Sequence, residues 1–432
     1  MRTPARLKTC SIFTIQVKLL SLSTKNKIIN DPIYGFITLN KGILLNIVDH
    51  PYFQRLGRIK QLGLTYLVYP GAHHTRFHHA IGAAHLMEQA IQTLKDNGIE
   101  ISNDEKIAVI LAILLHDIGH GPFSHALENS FVTGISHEEI SKFFMNSLNH
   151  AFGGDLALAI EIFGDKYPKR FLHDLVSSQL DMDRLDYLKR DSFFTGVAEG
   201  NIGVDRIINM FNIRNDSLVV EEKGIYSIEK FLHARRLMYW QVYLHKTVLC
   251  SENMLIKIIK RAIFLTKKGE TIYLSPELKM LFDEDFQISD HQQNKVFLEN
   301  FSRIDDFEIF TCLKYWTKEN DFVLSNLSKN ILNRNLLKIN IQKEKFKKQL
   351  IEKSLEKMMS DKGITKSEAE YFIYSDRVSN SLYSLKDNNI QILYKNGEIK
   401  DIFSSSEQFK NKAASKTINK YFFCCPDDYI IS

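Results

Sequence analysis

The stretch that decides the fold is NDEKIAVILAILLHDIGHGP, residues 103–122. Residues 108–115 are all apolar, and a run of this kind between a capping signal and a breaker predicts a buried helix. Asn103 and Asp104 are expected to cap it, with the helix over residues 105–116. The segment Gly119-His120-Gly121-Pro122 should then end it. The sequence therefore predicts a buried helix whose C-terminal end presents His116, Asp117 and His120.

Two imidazoles and a carboxylate at the end of an apolar helix need a partner, because burying them alone costs free energy. A divalent metal ion is the simplest partner. Adjacent helical residues point about 100° apart, yet both can reach one ion that lies over the helix end. Imidazole with carboxylate suits Mn, Fe, Zn, Co or Ni rather than calcium. His116-Asp117 thus predicts a site for one divalent transition metal, completed by ligands from elsewhere in the chain.

The helical period dominates on both sides of this stretch, up to about residue 265. Apart from a short strand at 35–39, the sequence predicts helices over 44–50, 53–62, 81–96, 155–163, 169–189, 203–211 and 227–265, and one opened by a capping box at Ser136 and Glu139. Beyond residue 265 it predicts an amphipathic helix over 342–360 and a hairpin around Asn396-Gly397. We expect a mainly α protein with a helical core at 28–265 and a small α+β C-terminal region at 266–432.

The composition is that of a soluble globular protein, with 44% apolar and 25% charged residues. A net charge of +5 suits an anionic substrate without marking a nucleic-acid binder. Five scattered cysteines without a C-x-x-C pattern fit a reducing cytoplasm. No apolar run approaches the roughly 18–20 residues of a membrane span. We therefore expect a cytoplasmic protein with neither a membrane nor a nucleic acid as partner.

The first 27 residues carry six basic side chains and no acidic one. Gln16 and Lys18 interrupt the only apolar stretch that could form the core of a targeting peptide, and no small-residue cleavage site follows. A disordered basic tail, or an over-long start, is therefore favoured over a targeting peptide. Residues 1–27 are left outside the predicted fold.

A series of short motifs, in order over roughly residues 27–250, carries a family resemblance. The motifs are INDPIYG (29–35), FQRL (53–56), IKQLG (59–63), YPGA (69–72), TRFHH (75–79), HDIGHGPFSH (116–125), LDMDRLDY (180–187) and YLHK (243–246). Together they resemble the HD superfamily of metal-dependent phosphohydrolases. Within it, the chain is similar to the deoxynucleoside triphosphate triphosphohydrolases, including the human SAM- and HD-domain enzyme. The resemblance implies an HD-domain helical core.

The resemblance also implies a metal centre and a reaction. One metal would be held by His79, His116, Asp117 and Asp183. Attack at the α-phosphorus of a deoxynucleoside triphosphate, dGTP among them, would release the deoxynucleoside and inorganic triphosphate. An additional Mg²⁺ travelling with the nucleotide is left open.

Catalytic and substrate-binding positions follow from the same motifs. His125 is the implied general acid for the departing 5′ oxygen, while His120 and His137 would orient it or contact phosphate. Arg76, Arg184 and Lys246 would supply positive charge for the triphosphate, and Arg235 would reach phosphate or base. Gln61 and Leu62 would pack on the sugar edge and exclude a 2′-hydroxyl; Tyr187, Asp191 and Tyr243 would surround the 3′-hydroxyl. His73, His74, His78 and His85 match no family position and are given surface or structural roles.

The chain departs from the family at a regulatory position. Lys27, Asn30, Asp49 and Gln54 match positions that bind activating nucleotides between subunits of the human enzyme, but Gly57 stands where an arginine is expected. A homo-oligomer, dimer or tetramer, is expected, with residues 266–432 as a candidate for the assembly surface. A nucleotide effector and a constitutive dimer are both left open.

Two other functions are weighed. The first keeps the HD chemistry on a different phosphate ester, as a nucleotidase or phosphodiesterase. The second is a nucleic-acid-binding module with a vestigial site, which the intact ligand set and the absence of an aromatic-basic stripe disfavour. Product analysis separates the first from the triphosphohydrolase. Salt-dependent DNA binding by an Asp117→Ala variant tests the second.

Overall fold

The computed structural model describes residues 25–123, 127, 134–282, 291–380, 389–409 and 418–430. Helices dominate it, which confirms the mainly α prediction. Up to residue 282 the helices are α1 (Ile43–Asp49), α2 (Pro51–Gln54), α3 (Arg76–Asp96), α4 (Asn103–Leu115), α5 (His137–Ala151), α6 (Ala157–Phe163), α7 (Arg170–Val176), α8 (Met182–Thr195), α9 (Val204–Ile208), α10 (Ile225–Met238), α11 (Lys246–Lys267) and α12 (Pro276–Phe282). Beyond it they are α13 (His291–Phe301), α14 (Asp306–Trp316), α15 (Phe322–Leu332), α16 (Lys348–Lys362), α17 (Lys366–Ala369) and α18 (Ile402–Ser405).

The strands form small sheets around this helical body. They are β1 (Lys27–Asp31), β2 (Gly35–Leu39), β3 (Phe211–Arg214), β4 (Ser217–Glu221), β5 (Lys338–Gln342), β6 (Tyr374–Asn380), β7 (Gln391–Leu393), β8 (Ile399–Asp401) and β9 (Ile418–Cys425). β1 pairs with β2, β5 and β6 flank β9, and a third sheet has the order β3-β4-β7-β8. β4 and β7 are parallel, so strands from both sides of residue 265 share one sheet.

Helix α4 lies at the centre of the core. Residues 108–115 are all buried, and α3, α6 and α7 pack around the helix. Each large aliphatic side chain that it buries contributes about 1.5–3 kcal/mol. The N-cap is Ser102 rather than the expected Asn103 or Asp104: its hydroxyl accepts from the Glu105 N–H in a capping box. This helix holds the His116-Asp117 pair at its buried C-terminal end.

The predicted helix over 53–62 ends early. α2 passes into a 3₁₀ turn, Arg55–Arg58, and the chain then becomes extended. Ile59 O accepts from the Arg76 N–H at 2.9 Å, and the Gln61 N–H donates to His74 O at 3.0 Å. Pairing with the segment that leads into α3 therefore replaces the last helical turn.

Two other long predicted helices are interrupted. The stretch 169–189 divides into α7 and α8, because Asp181 caps a new helix by accepting from the Arg184 N–H at 2.7 Å. The stretch 227–265 divides into α10 and α11 around a π-helical turn, Tyr239–Tyr243. Such turns are often found at functional sites. The helix expected over 342–360 begins later, because Gln342 ends β5.

Several local predictions are confirmed. Ser136 and Glu139 form the capping box that opens α5. The chain reverses at Asn396-Gly397 between β7 and β8, and β2 occupies the predicted strand at 35–39. Among the helices of the described residues, none combines the length and the apolar character needed to cross a membrane.

Hydrogen bonds from residues beyond 300 stabilise the segments around the end of α4. The buried Arg55 side chain donates to the carbonyls of Ile304 and Ile118 at 3.2 Å each. The Asp306 carboxylate accepts from the Lys60 N–H at 2.9 Å and the Phe123 N–H at 2.8 Å. One carboxylate therefore ties the extended segment after the 3₁₀ turn to the turn that follows the HD pair.

Candidate active site

Four side chains from three helices meet at the C-terminal end of α4. His79 comes from the first turn of α3, His116 and Asp117 follow α4, and Asp183 lies in the first turn of α8. His79 Nε2 is 3.4 Å from His116 Nε2 and 3.1 Å from Asp183 Oδ1. Asp117 Oδ1 is 3.3 Å from His116 Nε2. The structure thus brings all four predicted metal ligands together.

The hydrogen bonds at the Nδ1 atoms of His116 and His79 show whether their Nε2 atoms are available to bind a cation. His116 Nδ1 lies 2.6 Å from Ile113 O, and His79 Nδ1 lies 2.8 Å from Asp186 Oδ2. A carbonyl and an ionised carboxylate can only accept, so both Nδ1 atoms carry protons. In the neutral rings, both Nε2 lone pairs then face the same point between two carboxylates. A divalent cation fits this donor set, and histidine with carboxylate suits a transition metal.

The electrostatics of the cluster lead to the same conclusion. Burial alone would lower the pKa of His79, but hydrogen bonds and charges of Asp183 and Asp186 raise it to about 10. Burial also opposes a charged His116, whose pKa is nevertheless raised by the Asp117 charge. Burial would raise the pKa of Asp183, but hydrogen bonds from the two histidines hold it far below its ordinary value. The site therefore attracts positive charge strongly.

A second layer of charges orients His79. Asp186 accepts from His79 Nδ1 and also from Arg190 Nε at 2.9 Å, and all three side chains are fully buried. Arg190 Nη1 donates to Asp31 Oδ2 at 2.8 Å. A carboxylate behind a metal-binding histidine fixes the tautomer and raises the basicity of the ring. Asp186 therefore lies in the layer of residues directly behind the candidate metal ligands.

Beside the four-residue cluster, Asp117 belongs to a second group with His120 and His137. Their ligand atoms lie within 4.8 Å of one another, and the two rings stack at 3.9 Å. Arg76 forms an ion pair with Asp117. Burial and then the Arg76 charge hold the pKa of His120 well below its ordinary value. His120 is therefore neutral at pH 7, which suits a contact with phosphate or metal rather than proton donation.

The turn after the HD pair requires glycine at residue 119. A Cβ there would lie 2.1 Å from His137 O and 2.4 Å from Ser141 N, both backbone atoms of α5. We expect Gly119→Ala to lower the free energy of unfolding by about 3 kcal/mol, as overpacking does, and to reduce metal binding. At Gly121 a Cβ would only meet the Phe301 ring at 3.5 Å. Denaturant unfolding of both variants checks this, and equal stability losses would contradict it.

The predicted substrate residues form a chain of contacts that begins at the metal cluster. Tyr187 lies one helical turn after Asp183, and its ring is 6.2 Å from that of Tyr243. The Tyr243 hydroxyl donates to Asp191 Oδ2 at 2.7 Å. Burial raises the pKa of Tyr187, which also responds to the charges of Arg235, Arg184 and Asp183. These side chains therefore lie close together beside the cluster, and we call this region the pocket.

Some polar atoms around the pocket lack partners within the described ranges. They are Gln61 Oε1, Arg184 Nε and Arg235 Nε. Arg184 forms an ion pair with the buried Asp181, and Arg235 Nη1 donates to Gln179 Oε1 at 3.2 Å. Buried polar atoms are normally hydrogen-bonded, so these three can take a ligand or water. Gln179 was not predicted, because the contact that links it to the site joins residues 56 positions apart in the sequence.

The other predicted site residues do not take part in these contacts, or lie outside the described residues. Lys246 is exposed at the first residue of α11, and among the described residues no hydrogen bond or ion pair joins it to the pocket. Leu62 packs against the core. Lys27 pairs with Asp49 at 2.7 Å, and Gln54 donates to Val48 O at 2.7 Å, so these effector positions are engaged within the chain. The predicted general acid, His125, lies outside the described residues.

His74 lies in the interior of the protein, beside the predicted pocket residue Asp191. It is almost fully buried, and its Nε2 lies 2.7 Å from Asp191 Oδ1. It was expected to be a surface or structural histidine. Its partner lies 117 residues away, so no local pattern indicates the contact.

Comparisons with known proteins agree with this geometry. Residues 76–191 match the family model described as HD domain, and residues 202–286 match HD associated region. A crystal structure of a phosphohydrolase from Bacteroides thetaiotaomicron VPI-5482 is 51% identical, with a TM-score of 0.89 over 93% of this chain and 100% of that one. The uncharacterized protein YwfO of Bacillus subtilis (strain 168) is 30% identical over 89% of this chain and 88% of its own length.

A further relative carries a named activity. Deoxynucleoside triphosphate triphosphohydrolase SAMHD1 of Homo sapiens is 31% identical over 51% of this chain, which spans 42% of that protein. The helical core and its histidine–aspartate cluster define a phosphohydrolase of the metal-binding kind. The chain belongs to the HD-domain family.

Proposed function

We propose that this protein hydrolyses deoxynucleoside triphosphates to deoxynucleosides and inorganic triphosphate at a divalent metal held by His79, His116, Asp117 and Asp183. The observation that carries the proposal is the continuity between this cluster and the pocket lined by Tyr187, Tyr243 and Asp191. A metal centre alone indicates only phosphate-ester hydrolysis. A carboxylate–tyrosine wall beside it provides acceptors and a ring surface for a nucleoside sugar.

The chain's own residues divide the remaining work. When bound, the metal supplies Lewis-acid polarisation of a phosphate oxygen and of the attacking water. Arg76 holds Asp117 in place and adds positive charge at the same point. His120, neutral because of its burial and the Arg76 charge, can donate one hydrogen bond to a phosphate oxygen without repelling Arg76. Arg184 and Arg235 offer unpartnered Nε–H groups for the rest of the triphosphate or the base.

Asp117, His120 and His137 could together hold a second cation. Mg²⁺ is usually held by one or two carboxylates plus substrate phosphates, so Asp117 could share it with the nucleotide. His125 stays the proposed proton donor to the 5′ oxygen. Assembly into a dimer or tetramer also stays a prediction.

The proposal is tested by product analysis. The metal-loaded protein is incubated with dGTP, GTP, dGMP and a cyclic nucleotide, and the products are separated by anion exchange. We expect deoxyguanosine and triphosphate from dGTP, and at least about 10-fold less product from GTP, because Gln61 and Leu62 are proposed to pack on the sugar edge and exclude a 2′-hydroxyl. The other dNTPs, assayed with and without GTP or dATP, give the base preference and any effector requirement.

The same assay has outcomes that exclude the proposal. Orthophosphate or pyrophosphate from dGTP would show cleavage at another phosphorus. Turnover of dGMP or the cyclic nucleotide, with dGTP untouched, would identify a nucleotidase or phosphodiesterase. Asp117→Ala serves as the control for a contaminating hydrolase, because it removes a proposed metal ligand that also pairs with Arg76.

A further inference from the structure

His74 links the two sides of the pocket. Its backbone oxygen accepts from the Gln61 N–H at 3.0 Å, and its imidazole Nε2 lies 2.7 Å from Asp191 Oδ1. Gln61 lies on the extended segment after the 3₁₀ turn, whereas Asp191 lies on α8. A single residue therefore sets the separation between a segment and a helix that are far apart in the sequence.

The position of His74 is itself fixed by packing. Its ring stacks on that of Phe194 with centroids 4.5 Å apart and planes 17° apart. Three residues before His74, at Gly71, the backbone passes very close to α8. A Cβ on Gly71 would lie 2.5 Å from Phe194 O. The ring therefore has little freedom to turn away from Asp191.

The hydrogen bonds determine which nitrogen carries the proton. Within the described residues His74 Nδ1 has no partner, while Nε2 faces the carboxylate. A carboxylate can only accept, so Nε2 carries a proton and donates to Asp191 Oδ1, and Tyr243 donates to Oδ2. A carboxylate has about four acceptor sites, so two donors fix its orientation and leave lone pairs for a third.

We infer that His74 is a positioning residue for sugar recognition, holding Asp191 so that its remaining lone pairs accept from the 3′-hydroxyl of the substrate. This inference rests on the proposed function. His74 does not touch the substrate; it acts through Asp191 and through the backbone of Gln61. The Asp191–His74 pair gives this pocket a built preference for a nucleotide with a free 3′-hydroxyl.

The test compares dGTP with 2′,3′-dideoxy-GTP, which lacks that hydroxyl. His74→Phe keeps the stack on Phe194 but removes the donor, and His74→Gln restores an N–H near the position of Nε2. We expect the parent to favour dGTP in kcat/KM by about 10- to 100-fold, the range of a hydrogen bond to a charged group. In H74F this ratio should fall towards one, mainly through a higher KM for dGTP, and H74Q should recover part of it. His73→Phe, at the neighbouring residue, should leave the ratio unchanged.

Each alternative outcome is decisive. An equal loss for both nucleotides in H74F and H74Q would show a merely structural histidine and overturn the inference. A parent that releases triphosphate equally fast from both nucleotides would overturn the role of Asp191, and with it that of His74. A parent that releases no triphosphate from dGTP would instead contradict the proposed function. If H74F fails to fold, the ratio in H74Q decides: a fall below the parental ratio through a higher KM for dGTP supports the inference, and a parental ratio contradicts it.

Discussion

An Asp183→Asn variant is expected to keep its fold and lose both its metal and its activity. Asparagine matches aspartate in size but removes the charge that faces His79 and His116 at 3.1 and 3.6 Å. We expect turnover to fall on the order of 10³-fold, about 4 kcal/mol of transition-state stabilisation. Metal analysis after gel filtration should find well under one ion per chain. Circular dichroism checks the fold.

Asp104→Asn is the matched control for this variant. Asp104 also lies in the first turn of a helix, α4, so it reports the loss of a favourable charge at a helix N-terminus, roughly 0.3–1 kcal/mol. It is exposed and does not contact the cluster. Full metal occupancy and parental turnover in D183N would show that Asp183 is not a ligand.

Asp186→Asn should weaken metal binding and destabilise the fold together. Asp186 orients His79 and neutralises Arg190, which is completely buried. Loss of a carboxylate behind a metal-binding histidine lowers metal affinity by about 10- to 100-fold. Breaking a buried ion pair costs about 3–5 kcal/mol of stability, here reduced by the second partner Asp31. Metal titration and denaturant unfolding measure the two effects, and excess metal should restore activity in D186N but not in D183N.

Asp31→Asn separates the two effects of Asp186. It removes the other carboxylate of Arg190 and does not touch His79. We expect lower stability with an unchanged metal affinity. If D186N binds metal as tightly as the parent, Asp186 serves only Arg190 and its proposed role behind His79 is wrong.

The stability effect of D186N should also depend on pH. Burial opposes ionisation, but the Arg190 charge and the His79 hydrogen bond lower the pKa of Asp186 from 3.8 to about 2. A folded-state pKa below the unfolded value stabilises the fold above pH 3.8 and does so less as pH falls towards 2. The unfolding free energies of parent and D186N should therefore converge as pH falls through this window.

Local signals in the sequence predicted the centre of the fold well. The apolar run before His116 is long and bounded, so a helix follows from residues close together in the chain. The capping box at Ser136 and the Asn396-Gly397 turn are equally local, and both are confirmed. The His116-Asp117 pair at the end of a buried helix indicated a metal site by itself. The other two ligands came only from the family resemblance.

The errors arise where distant residues decide the local structure. Residues 59–61 have helical periodicity, but backbone pairing with the segment that leads into α3 stabilises them more than one further helical turn would. Arg190 contacts Asp31, 159 residues away in the sequence, and His74 contacts Asp191, 117 residues away. Neither contact produces a periodic pattern in the sequence. The pairing of β4 with β7 is likewise non-local.

The β3–β4 hairpin was missed although it carries a local signal. Asn215 and Asp216 both adopt positive φ, 51° and 57°, between Arg214 and Ser217. A two-residue turn with both residues in the left-handed region is typical of a tight hairpin, and asparagine and aspartate tolerate that region. The predicted helix over 203–211 covered the start of β3, while the helix itself, α9, ends at Ile208.

The most direct test of the central claim is ³¹P NMR, together with mass spectrometry, of the products formed from dGTP in H₂¹⁸O by the metal-loaded protein. Attack of water on the α-phosphorus breaks its bond to the 5′ oxygen and leaves the new oxygen on the triphosphate. We predict inorganic triphosphate with one ¹⁸O on a terminal phosphorus, unlabelled deoxyguanosine, and no such product from D183N. Label in orthophosphate or pyrophosphate, or in the deoxynucleoside, would contradict the account.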